Sequence, residues 1–325
     1  MKRKLNLAAR VLLFAVAIAA AADHRLNLLP RLQAGQIITY LIRYQSVKNV
    51  KTESKVAAPM APNAAQLDAH GLLQIEIVDV QQAGGKLAIH AKGRFLTLDS
   101  DVWAKKRGGK KPNWDVQRID PKGKSIEFTI SPDGFIGKIT GLDSLFPEQQ
   151  QAWQEWAARF ALAWTFPVDG VKLAEKWKSE QAERAEAPIT GLYWERESVY
   201  VRDEPCRPTQ LTVTGEVSVS SAAAESCAVV LTTAKLKQKS PPKDATPEDF
   251  KLYDLRTMGT AKGTNEIITY ISLRTGLVVR ATEEAKQFMD VVVAMADGSN
   301  GVHYNLDATS HSEALLVTET LFNQR

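Results

Sequence analysis

Beyond residue 22 the chain has no apolar run that approaches a membrane-spanning helix in length. It has only two cysteines, Cys206 and Cys227, and neither belongs to a C-x-x-C pair, which sets aside thiol redox chemistry and a cysteine metal cluster. G-x-S-x-G, H-E-x-x-H and the Walker and Rossmann glycine patterns are all missing, so no common hydrolase, metalloprotease or nucleotide motif is present. Net charge is missing too, once it is placed. The chain has 41 basic and 37 acidic residues, but Lys2, Arg3, Lys4 and Arg10 precede every acid and leave the remainder with 37 of each sign. A neutral body has no field to gather phosphates, which excludes a nucleic-acid partner. A 44% share of hydrophobic residues excludes a disordered chain and is enough for a sizeable core.

The basic excess sits in a recognisable place. MKRKLNLAAR is a basic stretch, VLLFAVAIAAAA an apolar one, and Ala20 and Ala22 supply an A-x-A pattern before Asp23. This order predicts a signal peptide over 1–22, cleavage near Asp23 and a periplasmic or secreted product with no membrane span after cleavage. No Cys follows the apolar run, so a lipid anchor at that point is not expected. An oxidising compartment then predicts a Cys206–Cys227 disulfide.

Most of the remaining text reads as strands. In QIITYLIRYQSV (36–47), Ile38, Tyr40, Ile42 and Tyr44 share one face at a period of two. GLLQIEIVDV (71–80) and KLAIHAKGRFLTL (86–98) flank Gly84-Gly85 as a hairpin. SIEFTI (125–130) and FIGKITG (135–141) flank Ser131-Pro132-Asp133-Gly134, where proline sets φ and glycine makes the turn. TQLTVTGEVSVSS (209–221), CAVVLTTAKLKQK (227–239), a hairpin over 265–285 turning at Arg274-Thr275-Gly276, and a last strand in 301–320 complete the pattern. KLAEKWKSEQAERAEA (172–187) fits a polar helix or a solvated strand, and SPPKDATP (240–247) an exposed loop.

One segment reads as a helix. Pro147 and Pro167 bracket PEQQQAWQEWAARFALAWT, in which Trp153, Trp156, Phe160 and Trp164 fall on one helical face, with Gln150, Gln154, Glu155 and Arg159 on the other. The expected fold is therefore α+β and mainly β. It is a large curved antiparallel sheet of hairpins with this aromatic-faced helix packed on it, formed by a single domain over 23–325. A division into lobes at 31–165 and 166–320 is the alternative.

Candidate chemistry is sparse, and no catalytic residue, metal ligand or cofactor is expected. His303, Asn305 and Asp307 share a strand face that His311 could approach, and Asp99 and Asp101 lie two apart on another, but neither set has converging geometry. DGSNG (297–301) reads as a turn, and the basic run Lys105, Lys106, Arg107, Lys110 and Lys111 as a solvated tip.

The order of leader, long alternating strands, S-P-D-G and R-T-G hairpins and one aromatic-rich helix resembles bacterial envelope proteins that fold a long sheet around helices, as the lipoprotein-localisation carriers do. It is also similar to hairpin-rich secreted bacterial proteins. The resemblance covers most of 31–320 as architecture and carries no site residue. It implies a concave apolar face that holds acyl chains. The resulting expectation is an exported, non-enzymatic envelope protein that binds an apolar or amphiphilic ligand through Trp153, Trp156, Phe160 and Trp164, or binds a protein partner of the envelope. A secreted hydrolase with a site gathered from distant residues, and a purely structural protein, are the alternatives.

Overall fold

The computed structural model describes residues 25–54, 64–83, 86–105, 125–131, 136–137, 139–143, 150, 166–182, 188–211, 217–220 and 223–318. Within them the chain is almost entirely strand. The elements are β1 (Ile37–Ser54), β2 (Ala64–Ala83), β3 (Lys86–Lys105), β4 (Ser125–Ile130), β5 (Lys176–Ala182), β6 (Leu192–Cys206), β7 (Thr209–Leu211), β8 (Val217–Val219), β9 (Glu225–Gln238), α1 (Glu248–Lys251), β10 (Leu255–Ser272), β11 (Val278–Met295) and β12 (Val302–Thr318). All twelve strands belong to one sheet in the order β4-β3-β2-β1-β12-β11-β10-β9-β6-β5, with the short β7–β8 hairpin attached beside β12.

This corrects the α+β expectation. Among the described residues the protein is all-β, and its one bounded helix is the four-residue turn α1. The segment 147–165, with Trp153, Trp156, Phe160 and Trp164, lies outside the described residues apart from Gln150. The physical reason for the all-β result is visible in the strands. Val, Ile, Thr, Tyr and Phe recur at alternate positions over runs of 17–20 residues in β1, β2, β3, β10, β11 and β12, a period that suits a pleated surface and no helix. The undecided stretch at 172–187 contains β5, whose pattern alternates exposed and half-buried residues throughout. The loop at 240–247 is less exposed than expected, because Ala245 and Thr246 are buried and Ala245 N–H donates to the Thr257 carbonyl at 3.0 Å.

The ladder between β1 and β12 joins the beginning and end of the fold, running from Thr39 opposite Val317 to Ser54 opposite Val302. Opposed residues share a face, so register carries one face around the whole sheet. Tyr40, Leu73 and Leu316 lie on the inner face, while Arg43, Glu313 and His70 lie on the outer one. A flat sheet ten strands wide would hold β4 and β5 roughly 43 Å apart. One core cluster nevertheless gathers Phe128 of β4, Ile75 of β2, Tyr40 of β1, Ile271 of β10, Val230 of β9 and Tyr200 of β6, with Trp177 of β5 packed against it. The sheet therefore curls, and its inner face is the core. Leu28, Leu32, Leu142, Phe166 and Val171, from connecting segments, fill the same end.

Close backbone approaches lock these segments onto the sheet rim. Gly276 closes the β10–β11 turn at φ +70°, and a Cβ there would meet the Leu29 carbonyl oxygen at 2.2 Å. Left-handed geometry alone costs an L-residue about 1–2 kcal/mol, and the Leu29 contact adds to it. Gly276→Ala should lower the urea midpoint by at least that equivalent. An unchanged midpoint would refute the docking of residues 26–30 on this turn.

Candidate functional site

The inner face has three layers along the strands. At one end lie the large apolar residues of the main core. At the other, a second cluster collects Ile189, Leu192, Leu236, Ala245, Ala261, Met289 and Val291, with Trp194 and Leu306 against it. Between them runs a polar belt. One transverse row passes through Ser198, Thr232, Ile267, Glu283, Ser312 and Tyr44, and the next through Arg196, Ala234, Asn265, Ala285, Ser310 and Ser46. A third row brings Gln287 opposite Gly263 and Ala308, with Lys48 beyond.

Burying such groups costs free energy unless they find partners. Arg196 is 6% exposed, Glu283 4% and Asn265 8%. The Ser198 and Thr232 hydroxyls share a hydrogen bond of 2.8 Å, and Asn265 Nδ2 donates to Glu283 Oε1. Asn265 Oδ1 and Gln287 Nε2, both buried atoms, have no hydrogen-bond partner among the described residues. Each unmet group of this kind is expected to cost about 1–3 kcal/mol. Such a pair of costs in one belt marks a place where stability has been given up. Two tyrosines sit just on the apolar side: Tyr40, whose phenol burial pushes well above its usual range, and Tyr200, raised by burial and by its hydrogen bond to Asp203.

The sequence reading missed this belt, because each member looks like a surface residue in its own strand. A signal was present. Asn265 lies in phase with Ile267 and Ile271, and Glu283 and Gln287 lie in phase with Met289 and Val291, so polar residues occupy apolar-phase positions.

The outer face is different in kind. Outward positions carry Arg43, Lys51 and Glu53 on β1, Glu284 and Lys286 on β11, and Asp307 and His311 on β12. The four described histidines all pair there with carboxylates: His70 with Asp99, His90 with Glu127, His311 with Glu284, and His303 with both Asp290 and Glu53. His303, Asn305, Asp307 and His311 do share this face, but each histidine has its own acid and the set does not converge. Among the described residues no group of three or more His, Cys, Asp or Glu side chains could hold a metal ion. Asp99 and Asp101 likewise face outward, and Lys106–Lys111 of the basic run lie outside the described residues. The DGSNG segment is a turn, with Ser299 N–H donating to Asp297 Oδ1 at 2.8 Å.

His303 Nε2 lies 2.6 Å from Asp290 Oδ1, and that hydrogen bond, which outweighs desolvation, raises the imidazole above its usual value. A group raised in the folded state contributes stability fully below its unfolded value of about 6.5 and loses it as pH rises through the raised value. An NMR titration should place the His303 midpoint above ~6.5, and Asp290→Asn should bring it down. A midpoint indifferent to that substitution would disprove the coupling.

Cys206, at the end of β6, is disulfide-bonded to Cys227 of β9, with Cα atoms 5.8 Å apart. The β6–β9 ladder sets Glu204 opposite Cys227 and Cys206 opposite Glu225, so the bridge is a diagonal one on the outer face. It closes the base of the excursion that carries β7 and β8.

No protein-family model matches the chain. No curated protein matches it either. Similar solved structures include a candidate lipoprotein from Parabacteroides distasonis, at 8% identity and TM-score 0.27, covering 90% of this chain and 98% of that one. A candidate exported protein with a YmcC-like fold from Bacteroides fragilis matches at 11% identity and TM-score 0.24, with the same coverage of 90% and 98%. The outer membrane protein OprG of Pseudomonas aeruginosa matches at 7% identity and TM-score 0.19, covering 87% of this chain and 95% of that one. TM-scores this low establish no common fold. The charged outer face also departs from a membrane barrel, whose outward residues form an apolar band. Among the described residues no helix is long and apolar enough to cross a membrane.

Proposed function

We propose that this is an exported protein of the bacterial envelope that binds an amphiphilic ligand on the inner face of its curled sheet. Export is supported by the basic, apolar and small-residue order of 1–22 and by the Cys206–Cys227 bridge, which persists only in an oxidising compartment. The single observation that carries ligand binding is the change along the inner face from a layer of large apolar residues to a polar belt. An amphiphile needs both environments in one trough. Trp153, Trp156, Phe160 and Trp164 are the residues to which this reading assigns contact with the apolar part of the ligand.

Native mass spectrometry of the protein purified from its own envelope tests this directly, with a co-purifying amphiphile as the expected result. Trp156→Ala should weaken binding of 1-N-phenylnaphthylamine, an apolar fluorescent probe, while a ligand at 100 times its Kd should stabilise the wild type by about 2.7 kcal/mol. A protein that carries no amphiphile and ignores the probe would end the proposal.

A further inference from the structure

Asn265 and Gln287 are neighbours on the inner face. Asn265 stands opposite Ala285 and Gln287 opposite Gly263, which makes the two side chains a diagonal pair across β10 and β11. Diagonal partners on one face stand roughly 7–8 Å apart, a span that one small polar group with two functional atoms can bridge. The bond from Asn265 Nδ2 to Glu283 fixes the amide, so Oδ1 is presented as an acceptor. Gln287 Nε2 presents a donor, and neither atom has a hydrogen-bond partner among the described residues. Their neighbours Ala234, Ala285 and Ala308 are small. Trp194 closes the side toward Gly263, its ring carbon Cη2 lying 2.9 Å from where a Cβ at 263 would stand. The belt also holds one buried cation, Arg196, and one buried anion, Glu283, with half-buried Lys48 at its margin. The opposite charges of Arg196 and Glu283 offset one another, so a charged head desolvated in the belt finds no surplus counter-charge, a penalty that an uncharged head avoids.

We infer that the polar belt receives the headgroup of the amphiphile, and that this headgroup is uncharged and carries both a hydrogen-bond donor and an acceptor, as hydroxyl-bearing and amide heads do. Asn265 Oδ1 accepts from it and Gln287 Nε2 donates to it. The inference rests on the amphiphile reading above and adds the chemistry of the head. A belt built for a paired donor and acceptor discriminates strongly, because an ill-matched head leaves both protein groups unmet again.

The test uses the full mature chain and probes with one twelve-carbon tail and different heads, below their micellar concentrations. Dodecyl maltoside, whose head is neutral and hydroxylated, should bind at least about tenfold more tightly than laurate or dodecyltrimethylammonium by calorimetry. Gln287→Leu should weaken the maltoside by roughly tenfold, a larger loss than for 1-N-phenylnaphthylamine, which brings no paired donor and acceptor. In the wild type, the side-chain amide signals of Asn265 and Gln287 should move on titration with maltoside, a readout that holds even if the variant fails to fold. Charged heads that bind as well as the maltoside, or amide signals that stay still while it binds, would overturn the headgroup assignment and leave the amphiphile reading standing. Failure of every probe, including phenylnaphthylamine, would overturn both.

Discussion

Phe128→Ala should cost about 3–5 kcal/mol of stability, the usual toll for emptying a fully buried aromatic site. Phe128 is 1% exposed and lies in the main core with Ile75, Ile89 and Ile126. Its strand makes the effect sharper. β4 is an edge strand of six residues with one ladder, from Ile89 opposite Ile130 to Arg94 opposite Ser125. On its other side the described residues form isolated bridges, Glu127 with Thr140 and Ile130 with Ile136. Side-chain packing therefore holds β4 down as much as hydrogen bonding does. In the variant, amide exchange of β4 should accelerate before that of β1 or β12, which are paired on both sides. A loss of this size should appear in a urea titration as a lower midpoint with little change in slope. Leu252→Ala supplies the contrast, because Leu252 is 82% exposed and should change stability by no more than about 0.5 kcal/mol. Equal effects at the two positions would contradict the placement of the core.

Much of this core was legible from the text of the strands. The alternation of Ile38, Tyr40, Ile42 and Tyr44 marks one face, and that face is the inner one. The turn at Arg274-Thr275-Gly276 was readable because a left-handed glycine after a polar residue has few other uses, and β10 and β11 do meet there. SIEFTI is β4 to the residue. Other features depend on information that a local reading does not contain. The pairing of β1 with β12 joins residues about 270 positions apart, and only the finished sheet reveals which strand ends beside which. The stretch 209–221, readable as β in character, holds the two short strands β7 and β8, whose pairing with each other and with β12 only the finished sheet reveals. The polar belt was hidden for a related reason. Arg196, Asn265 and Glu283 come from three strands, and each becomes unusual only when register puts all three on the enclosed face. The α+β assignment failed because the aromatic spacing of one segment was given the weight of a layer, while the curled sheet encloses its own core.

The bridge between Cys206 and Cys227 supports the second large prediction. The cysteines are 21 residues apart, and cross-linking a loop of that size removes denatured-state entropy worth about 3 kcal/mol in the chain-entropy model. The double variant Cys206→Ala, Cys227→Ala should lose about that much, whereas a single substitution would leave a reactive thiol and confuse the measurement. The loss should be felt first on the outer face. Cys227 is fully buried, and the cysteines pack with Val279, Tyr270 and Leu316 in their own small cluster. Among the described residues β7 pairs with β12 through Val317–Thr209 and Thr318–Gln210 and with β8 through three further positions, and Ser220 N–H donates to the Pro208 carbonyl at 3.1 Å. Without the bridge, exchange protection at Thr209, Gln210 and Ser220 should fall well before that of the β6–β9 ladder, whose register continues to Tyr193 opposite Lys237. Wild-type protein made in a reducing cytosol should show the same deficit as the double variant, and oxidation should restore it. Equal urea midpoints for the oxidised wild type and the double variant would show that the bridge contributes nothing to stability.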